Sequence, residues 1–548
     1  MDLTRRGFLS AAGLAAVGPV AADGAAGPGD DRGHAEAPPF TGEPYVLAGH
    51  RLVFTNWHFV RPGSFGWYDA AGNNVTVGGS EGPMGAQLRT RDMPVGIRLV
   101  ARPAQRRGPI IEPETPWETV GISLSTIIRD GATFRAWGTC QGEKGRFQCV
   151  FESDNGLDWR RPEAGVVEID GSAANNLIGP PWWGGTVFID PSAPEYERYK
   201  AVTEGEISAN DFDAYRERRP DAWERRAQRA DVNQVFAVLG STSPDGLHWT
   251  NQPEPLVVEH SDTQIVAHYD TRLGQYVIYT RNWSVGERDP DAPDDRGLSW
   301  IGVGRRSIGR TAASQFADFP LSQILLEPGP AMAPSDVLYT NCRTEIPGAP
   351  DHHLMFPTVW HTSSDSTSVV LASSRDGIRW HYLPGGPVLT TAPFGEFDGG
   401  CVFAHPNLLE LPNGDYALPY TGYLFPHKYP RGQWRFSPGY AIWPKGRLVA
   451  LEARERGEFA TVALRVKGTR LRLNASTKRG GSILVEAARG NGEPLPGRDF
   501  GHAAPIIGDH QAAPVVWGGE EGLGAGAEEA IVLRFRLDMA ALYAIDFI

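Results

Sequence analysis

One short pattern recurs three times in the middle of the chain. It runs from Ser153 to Trp159 (Ser-Asp-Asn-Gly-Leu-Asp-Trp), from Ser243 to Trp249 (Ser-Pro-Asp-Gly-Leu-His-Trp) and from Ser374 to Trp380 (Ser-Arg-Asp-Gly-Ile-Arg-Trp). A weaker copy without the Asp-Gly pair lies at Ile308 to Phe316. Each copy follows a β-rich run, such as Val235 to Leu239 or Val369 to Ala372, and leads into a proline-containing segment. The physics is that of a hairpin. The strand ends, the Asp-Gly pair turns with glycine supplying positive φ, and the next strand opens with a tryptophan free to pack between sheets. The copies lie too far apart for single hairpins but suit four strands plus loops, the size of a propeller blade. Blades are expected near residues 117–165, 183–257, 262–328, 345–392 and 398–450. The fold class read from this is all-β, a five-bladed β-propeller.

The texture changes after Arg456. Val462, Leu464 and Val466 alternate with polar or small residues, as do Leu471 and Leu473, Ile483 and Val485, and Ile531, Leu533, Phe535 and Leu537. Period two with one apolar face marks half-buried antiparallel strands, so residues 456–548 read as a separate β-sandwich. The propeller then occupies 35–455. Residues 211–232 break the β pattern with a charged, helix-prone run, read as a helical insertion in a loop of the second blade. Residues 284–297 read as an acidic surface loop.

Thr4-Arg5-Arg6-Gly7-Phe8-Leu9 precedes a modest apolar run with small residues near Ala22. Residues 1–34 therefore read as a twin-arginine export signal and flexible leader, with a secreted or periplasmic product. A variant with lysine at both Arg5 and Arg6 should accumulate inside the cell; undiminished export would refute the reading. No later stretch is apolar for long enough to span a membrane. The 52 Lys and Arg against 65 Asp and Glu leave a net charge of -13, which argues against nucleic acid as a partner. Of the four cysteines, Cys140 and Cys149 flank a hairpin expected to turn at Lys144-Gly145 and set them directly opposite; a bridge or two free thiols both fit. No Cys/His spacing resembles a zinc site, and no metal or cofactor is implied.

In a propeller the innermost strand of every blade borders one central channel. Cleaving a glycosidic bond there needs converging carboxyl groups, an acid and a base or nucleophile. An acid stands near the start of each expected blade: Glu118, Asp190, Asp262, Asp336 and Asp398. Glu118, Asp190 and Asp262 are the catalytic candidates. Asp262 leads them, because Ser261-Asp262-Thr263-Gln264 is a polar wedge between Val257-Val258 and Ile265-Val266. Asp398 and Asp336 are candidates for binding substrate, with Arg281 to hold a carboxylate or hydroxyl, His427 from the fifth blade, and Trp183 as a sugar-stacking platform.

Residues 117–548 resemble the glycoside hydrolases that join a five-bladed propeller to a β-sandwich, the invertase–levanase group and its bacterial relatives. The likeness is carried by Gly481-Ser-Ile-Leu-Val-Glu486, Gly492-Glu-Pro-Leu-Pro-Gly497, Ile507-Gly-Asp509, Val516-Trp-Gly518 and the run from Val532 to Phe547. The Ser-x-Asp-Gly-x-x-Trp repeats resemble the same group and the sialidase-like propellers. The resemblance implies an exported hydrolase acting on an oligo- or polysaccharide, with furanosides one option. The invertase nucleophile run Trp-Met-Asn-Asp-Pro-Asn-Gly is absent, its Glu-Cys acid motif is absent, and Arg288-Asp289-Pro290 sits in a Pro/Asp-rich loop. The fold therefore carries over and fructosidase chemistry does not. Two alternatives remain. A non-catalytic carbohydrate-binding protein would show aromatics at the channel mouth without a carboxyl pair, and a polysaccharide lyase would use Tyr279, Arg281 and His268.

Overall fold

The three repeats fold into one and the same turn. In the second, the Ser243 hydroxyl accepts from the Gly246 N–H at 2.9 Å, while Asp245 Oδ1 accepts from Leu247 and His248 at 2.8 and 2.9 Å. Ser374 and Asp376 repeat the pattern on Gly377, Ile378 and Arg379. Ser153 does so on Gly156, with Asn155 standing in for the aspartate toward Leu157 and Asp158. The glycines take φ of 73°, 75° and 72°, a region that disfavours any side chain. Each glycine carbonyl then accepts from an aromatic distant in sequence, in the second and third copies one on a neighbouring sheet. Tyr440 Oη reaches Gly156 at 2.8 Å, Trp137 Nε1 reaches Gly246 at 2.7 Å, and Tyr279 Oη reaches Gly377 at 3.3 Å. The repeat is thus a clamp as well as a turn.

This computed structural model describes residues 42–70, 75, 86–180, 182–229, 234–285, 304–430, 432–526 and 529–548, without the side chains of Arg89, Trp183 and Arg229. The described residues are almost entirely β and lie in one compact unit, Pro38–Ile548. The leader, most of the acidic loop and Arg288-Asp289-Pro290 fall outside them. The helical insertion is present as a helix at Ala209–Arg218, capped by Ser208 through the Asp211 N–H and ending ahead of Pro220.

Five inner strands each lead a group of antiparallel partners: β1 (Gly121–Asp130), β2 (Trp183–Ile189), β3 (Val266–Asp270), β4 (Asp336–Thr340) and β5 (Cys401–Ala404); the first and fifth groups join in one nine-stranded sheet where Phe436 lies parallel beside Gly121, and the fourth divides into two four-stranded sheets. Each inner strand, or its flank, bonds to the next. Thr126 Oγ1 accepts from Val187, Ile265 N donates to Gly184 O, and Gln264 Oε1 accepts from Cys342. Leu408 N donates to Thr344 Oγ1, and Asn407 Nδ2 donates to Ile127 O, which closes the ring. The cores fall between groups. Phe134, Phe151 and Ile122 of the first group pack with Tyr440 and Ile442 of the fifth. Phe188 and Val202 of the second meet Ile278 and Phe319 of the third, and Tyr279 and Ile308 of the third meet Leu338 and Trp380 of the fourth. This is an arrangement of the β-propeller type.

Three details differ from expectation. The fourth group starts at Asp336, ahead of residue 345, and its inner strand resumes after a break as Arg343–Ile346. Cys140 and Cys149 form a disulfide, but diagonally: Cys140 pairs with Phe147 and Cys149 with Gly138, because the hairpin turns at Glu143-Lys144. The boundary at 455/456 falls inside the strand Val449–Ala460. That strand belongs to an eight-stranded sheet with the long strands Leu471–Arg489 and Ile531–Phe547. The same sheet recruits Tyr45–Val46, Arg51–Leu52 and Val95–Ala101, residues expected in the propeller. Ion pairs reinforce the junction, with Arg534 on Asp92 and Arg51 on Asp546 at 2.6 and 2.7 Å. A few residues on, Gln105–Arg107 crosses to the fifth group and pairs with Phe436–Trp443 as its outer strand.

Gly246→Ala tests the clamp. A Cβ there would stand 2.8 Å from Trp137 Cζ2 at a φ of +75°. Strain and overpacking together should cost about 2–4 kcal/mol, read as a lower denaturation midpoint. An unshifted midpoint would show that the clamp is dispensable.

Candidate active site

The inner strands run in one direction and leave a cavity at each end. At the entry end the volume is about 440 Å³. Alternation along β1 turns Ser123 and Ser125 into it, Gly184 and Thr186 line it from β2, and Tyr339 and Thr340 line it from β4. Asp262 and Gln264 enter from the segment before β3, and Phe403 and His405 from β5. Polar bonds tie the floor together. Gln264 Nε2 donates to Ala404 O at 2.9 Å, and Thr421 Oγ1 lies 2.7 Å from both Ser123 Oγ and His405 Nε2. Burial lowers His405 to about 4, so its imidazole is neutral. One wall is aromatic. His427 packs edge-on against Tyr339, Trp360 and Phe403 at 4.6, 5.2 and 5.2 Å. Trp434, 47% exposed, stands at the rim beside Tyr423.

Asp262 is the only carboxylate among the described residues of this wall. It forms an ion pair with Arg281, whose side chain is 1% exposed against 37% for Asp262. Trp283 lies under the guanidinium at 4.3 Å, and Arg226 stands over the same ring at 4.3 Å. Next to this pair is a buried acidic layer. Glu204 Oε1 lies 2.8 Å from both the Ser261 N–H and His260 Nδ1, and Glu224 Oε1 accepts from His260 N at 2.8 Å. Burial raises Glu204 to about 7, and burial with the neighbouring Glu259 raises Glu224 to about 7.

Folded-state values above the ordinary 4.5 mean that the folded protein keeps protons the unfolded chain releases between about pH 4.5 and 7. Stability therefore falls as pH rises through that window. Glu204→Gln keeps the acceptor and removes the charge, so it should flatten the fall in melting temperature between about pH 5 and 7.5. An unchanged slope would remove Glu204 as its source.

Of the expected site residues, Asp262 and His427 line the cavity and Arg281 backs Asp262. Trp183 occupies the start of β2 between Trp182 and Gly184, both lining, and its own side chain lies outside the described part. The other acids are elsewhere. Glu118 is fully buried before β1, accepts from the Glu114 and Thr115 N–H groups, and grips Arg161 at 2.9 Å. Asp190 lies past the far end of β2. Burial opposes its ionisation, but hydrogen bonds from Ser192 and Tyr276, both at 2.6 Å through the side chains, outweigh it and hold its pKa low. Asp336 caps a turn through Ala333 N and meets His361 Nδ1 at 2.8 Å. Asp398 is 1% exposed, accepts from Tyr420 Oη at 2.8 Å and does not line the cavity. The expected trio of Glu118, Asp190 and Asp262 is therefore not assembled: two of its members are taken up by local backbone and side-chain donors.

No family model matches the chain, and no curated protein matches it in sequence. Solved structures that it resembles include a glycoside hydrolase at 12% identity and TM-score 0.40, over 63% of this chain and 92% of that one. Another is an N-acetylgalactosamine deacetylase from F. plautii in complex with blood group B trisaccharide, at 12% identity and TM-score 0.38, over 63% and 96%. A third is an alpha-L-arabinofuranosidase from Podospora anserina in complex with cellotriose, at 12% and 0.37, over 62% and 96%. At these TM-scores the likeness is coarse.

Proposed function

We propose that the entry-end cavity binds a saccharide and that the protein cleaves a glycosidic bond beside Asp262. The scaffold in this reading is a five-bladed propeller closed by residues 105–107 and joined to a C-terminal sandwich-like sheet. The observation that carries the saccharide is the composition of the wall, where hydroxyl and amide groups face aromatic rings across about 440 Å³. Such a site matches the two faces of a sugar, hydroxyls at the edge and C–H groups over a ring. For the cleavage step, Asp262, ion-paired with Arg281, serves as the base. Behind it, burial raises Glu204 to about 7, so this carboxyl exchanges its proton near neutral pH. Glycoside hydrolysis needs a proton donor as well as a base, and Glu204, which does not line the cavity, connects to the segment that carries Asp262 through His260 and the Ser261 N–H.

A second reading has one observation in its favour: Asp262 is alone in the described wall, so the site would bind sugar without cutting it. The two are separated by a panel of defined oligosaccharides, scored for reducing-end release and, in parallel, for binding by calorimetry. Release supports the hydrolase. Binding without release supports the binding protein. Neither, across furanosides, hexosides and uronides, would sink the saccharide reading.

A further inference from the structure

The opposite end of the same inner strands opens into a second cavity of about 700 Å³. His268 from β3, Arg272 just beyond it, Arg343 and Glu345 from Arg343–Ile346, and His353 line it. Arg343 is 5% exposed, and its Nη2 donates to Glu345 Oε1 at 2.8 Å and to His353 Nδ1 at 2.9 Å. An arginine has no acceptor, so His353 must accept at Nδ1 and carry its ring proton on Nε2. Arg343 Nε and both ring nitrogens of His268 are buried with no hydrogen-bond partner among the described residues. Buried donors of this kind are normally paired, and a neutral imidazole always keeps one N–H to give. Burial, with Arg343, His353 and Arg310 adding to it, holds His268 well below the ordinary value and so neutral.

The surrounding charge selects the sign of the missing partner. The carboxylates nearby are engaged: Glu345 on Arg343, Glu410 on Arg51, and Asp270 on the N–H groups of Arg272 and Leu273. A cation beside the Arg343 guanidinium would be repelled, whereas an anion would complete it. We propose that the second cavity is a binding site for an oxyanion, a carboxylate, phosphate or sulfate group, seated on Arg343 and His268. The oxyanion is either a free inorganic ion or the charged substituent of a sugar. The proposal is independent of the saccharide reading, because it uses none of the residues of the entry-end cavity.

The test is calorimetric titration of the whole protein with sulfate, inorganic phosphate and glucuronate at constant ionic strength. Saturable binding of at least one is expected, weakened tenfold or more by Arg343→Gln or His268→Gln. Tighter binding of glucuronate than of the inorganic ions assigns the site to a sugar acid, and the reverse order assigns it to a free ion. A parallel thermal-shift series guards against a variant that fails to fold: the rise in the wild-type melting temperature with sulfate should saturate at low millimolar concentration, unlike the steady general effect of a kosmotropic salt. No saturable binding up to about 10 mM and no saturating shift with sulfate would overturn the proposal, as would binding unaffected by both variants.

Discussion

Asp262→Asn should lower turnover of whichever glycan the panel identifies by a hundredfold or more, the scale on which a positioned acid or base contributes. The amide keeps the shape of the carboxylate and loses its charge. The effect will not be confined to chemistry. Arg281 is almost fully enclosed, and Asp262 is its ion-pair partner. Breaking a buried pair costs about 3–5 kcal/mol, but Asp262 is more than a third open to water, so a smaller part of that is expected. Turnover must therefore be expressed per folded molecule, with the melting temperature recorded alongside. Near-normal turnover with asparagine at 262 would remove Asp262 from the mechanism.

Glu118→Gln should do the converse. Glu118 has no exposed side-chain surface, and it satisfies two backbone N–H groups and Arg161 at once. The glutamine keeps one acceptor oxygen and turns an amide N–H₂ toward a guanidinium left with only the exposed Glu114 as counter-charge. A loss of about 3 kcal/mol is expected, read as a lower denaturation midpoint, with turnover per folded molecule unchanged. Were turnover to collapse while the midpoint stayed put, Glu118 would return to the list of reacting groups.

The contrast between these two acids shows how far the sequence could be read. The turn repeats were legible because their physics is local. Serine, aspartate and glycine act on N–H groups two or three residues away, so spacing alone specifies the geometry. The acids were not legible by the same route. Glu118 and Asp336 stand at strand entries and Asp190 just past a strand exit, but strand ends are also where turns present unsatisfied N–H groups, and each of the three binds such a group. Asp262 escapes because its side chain reaches sideways to Arg281. Ser123 and Ser125 were missed, although their i, i+2 spacing in an otherwise apolar strand was the available signal. Pairings across more than three hundred residues, such as Arg51–Leu52 on the last strand, leave no periodic trace at all.

The path of residues 95–107 fixes an order of events during synthesis. Val95–Ala101 finds its partner in Val449–Ala460, and Gln105–Arg107 finds its own in Phe436–Trp443. Both partners leave the ribosome about 350 residues later, which at roughly 5–20 residues per second is a wait on the order of 20–70 s. Through that interval the first strands have no sheet to join, while the groups built on β1 to β4 can already stack on one another. Ile531–Phe547, which emerges later still, then receives Arg51–Leu52, Val449–Ala460 and Leu471–Arg489. The ring can therefore close once Phe436–Trp443 has emerged, whereas the C-terminal sheet waits for Ile531–Phe547, so a nascent chain stopped short of residue 531 would hold the ring without its partner sheet.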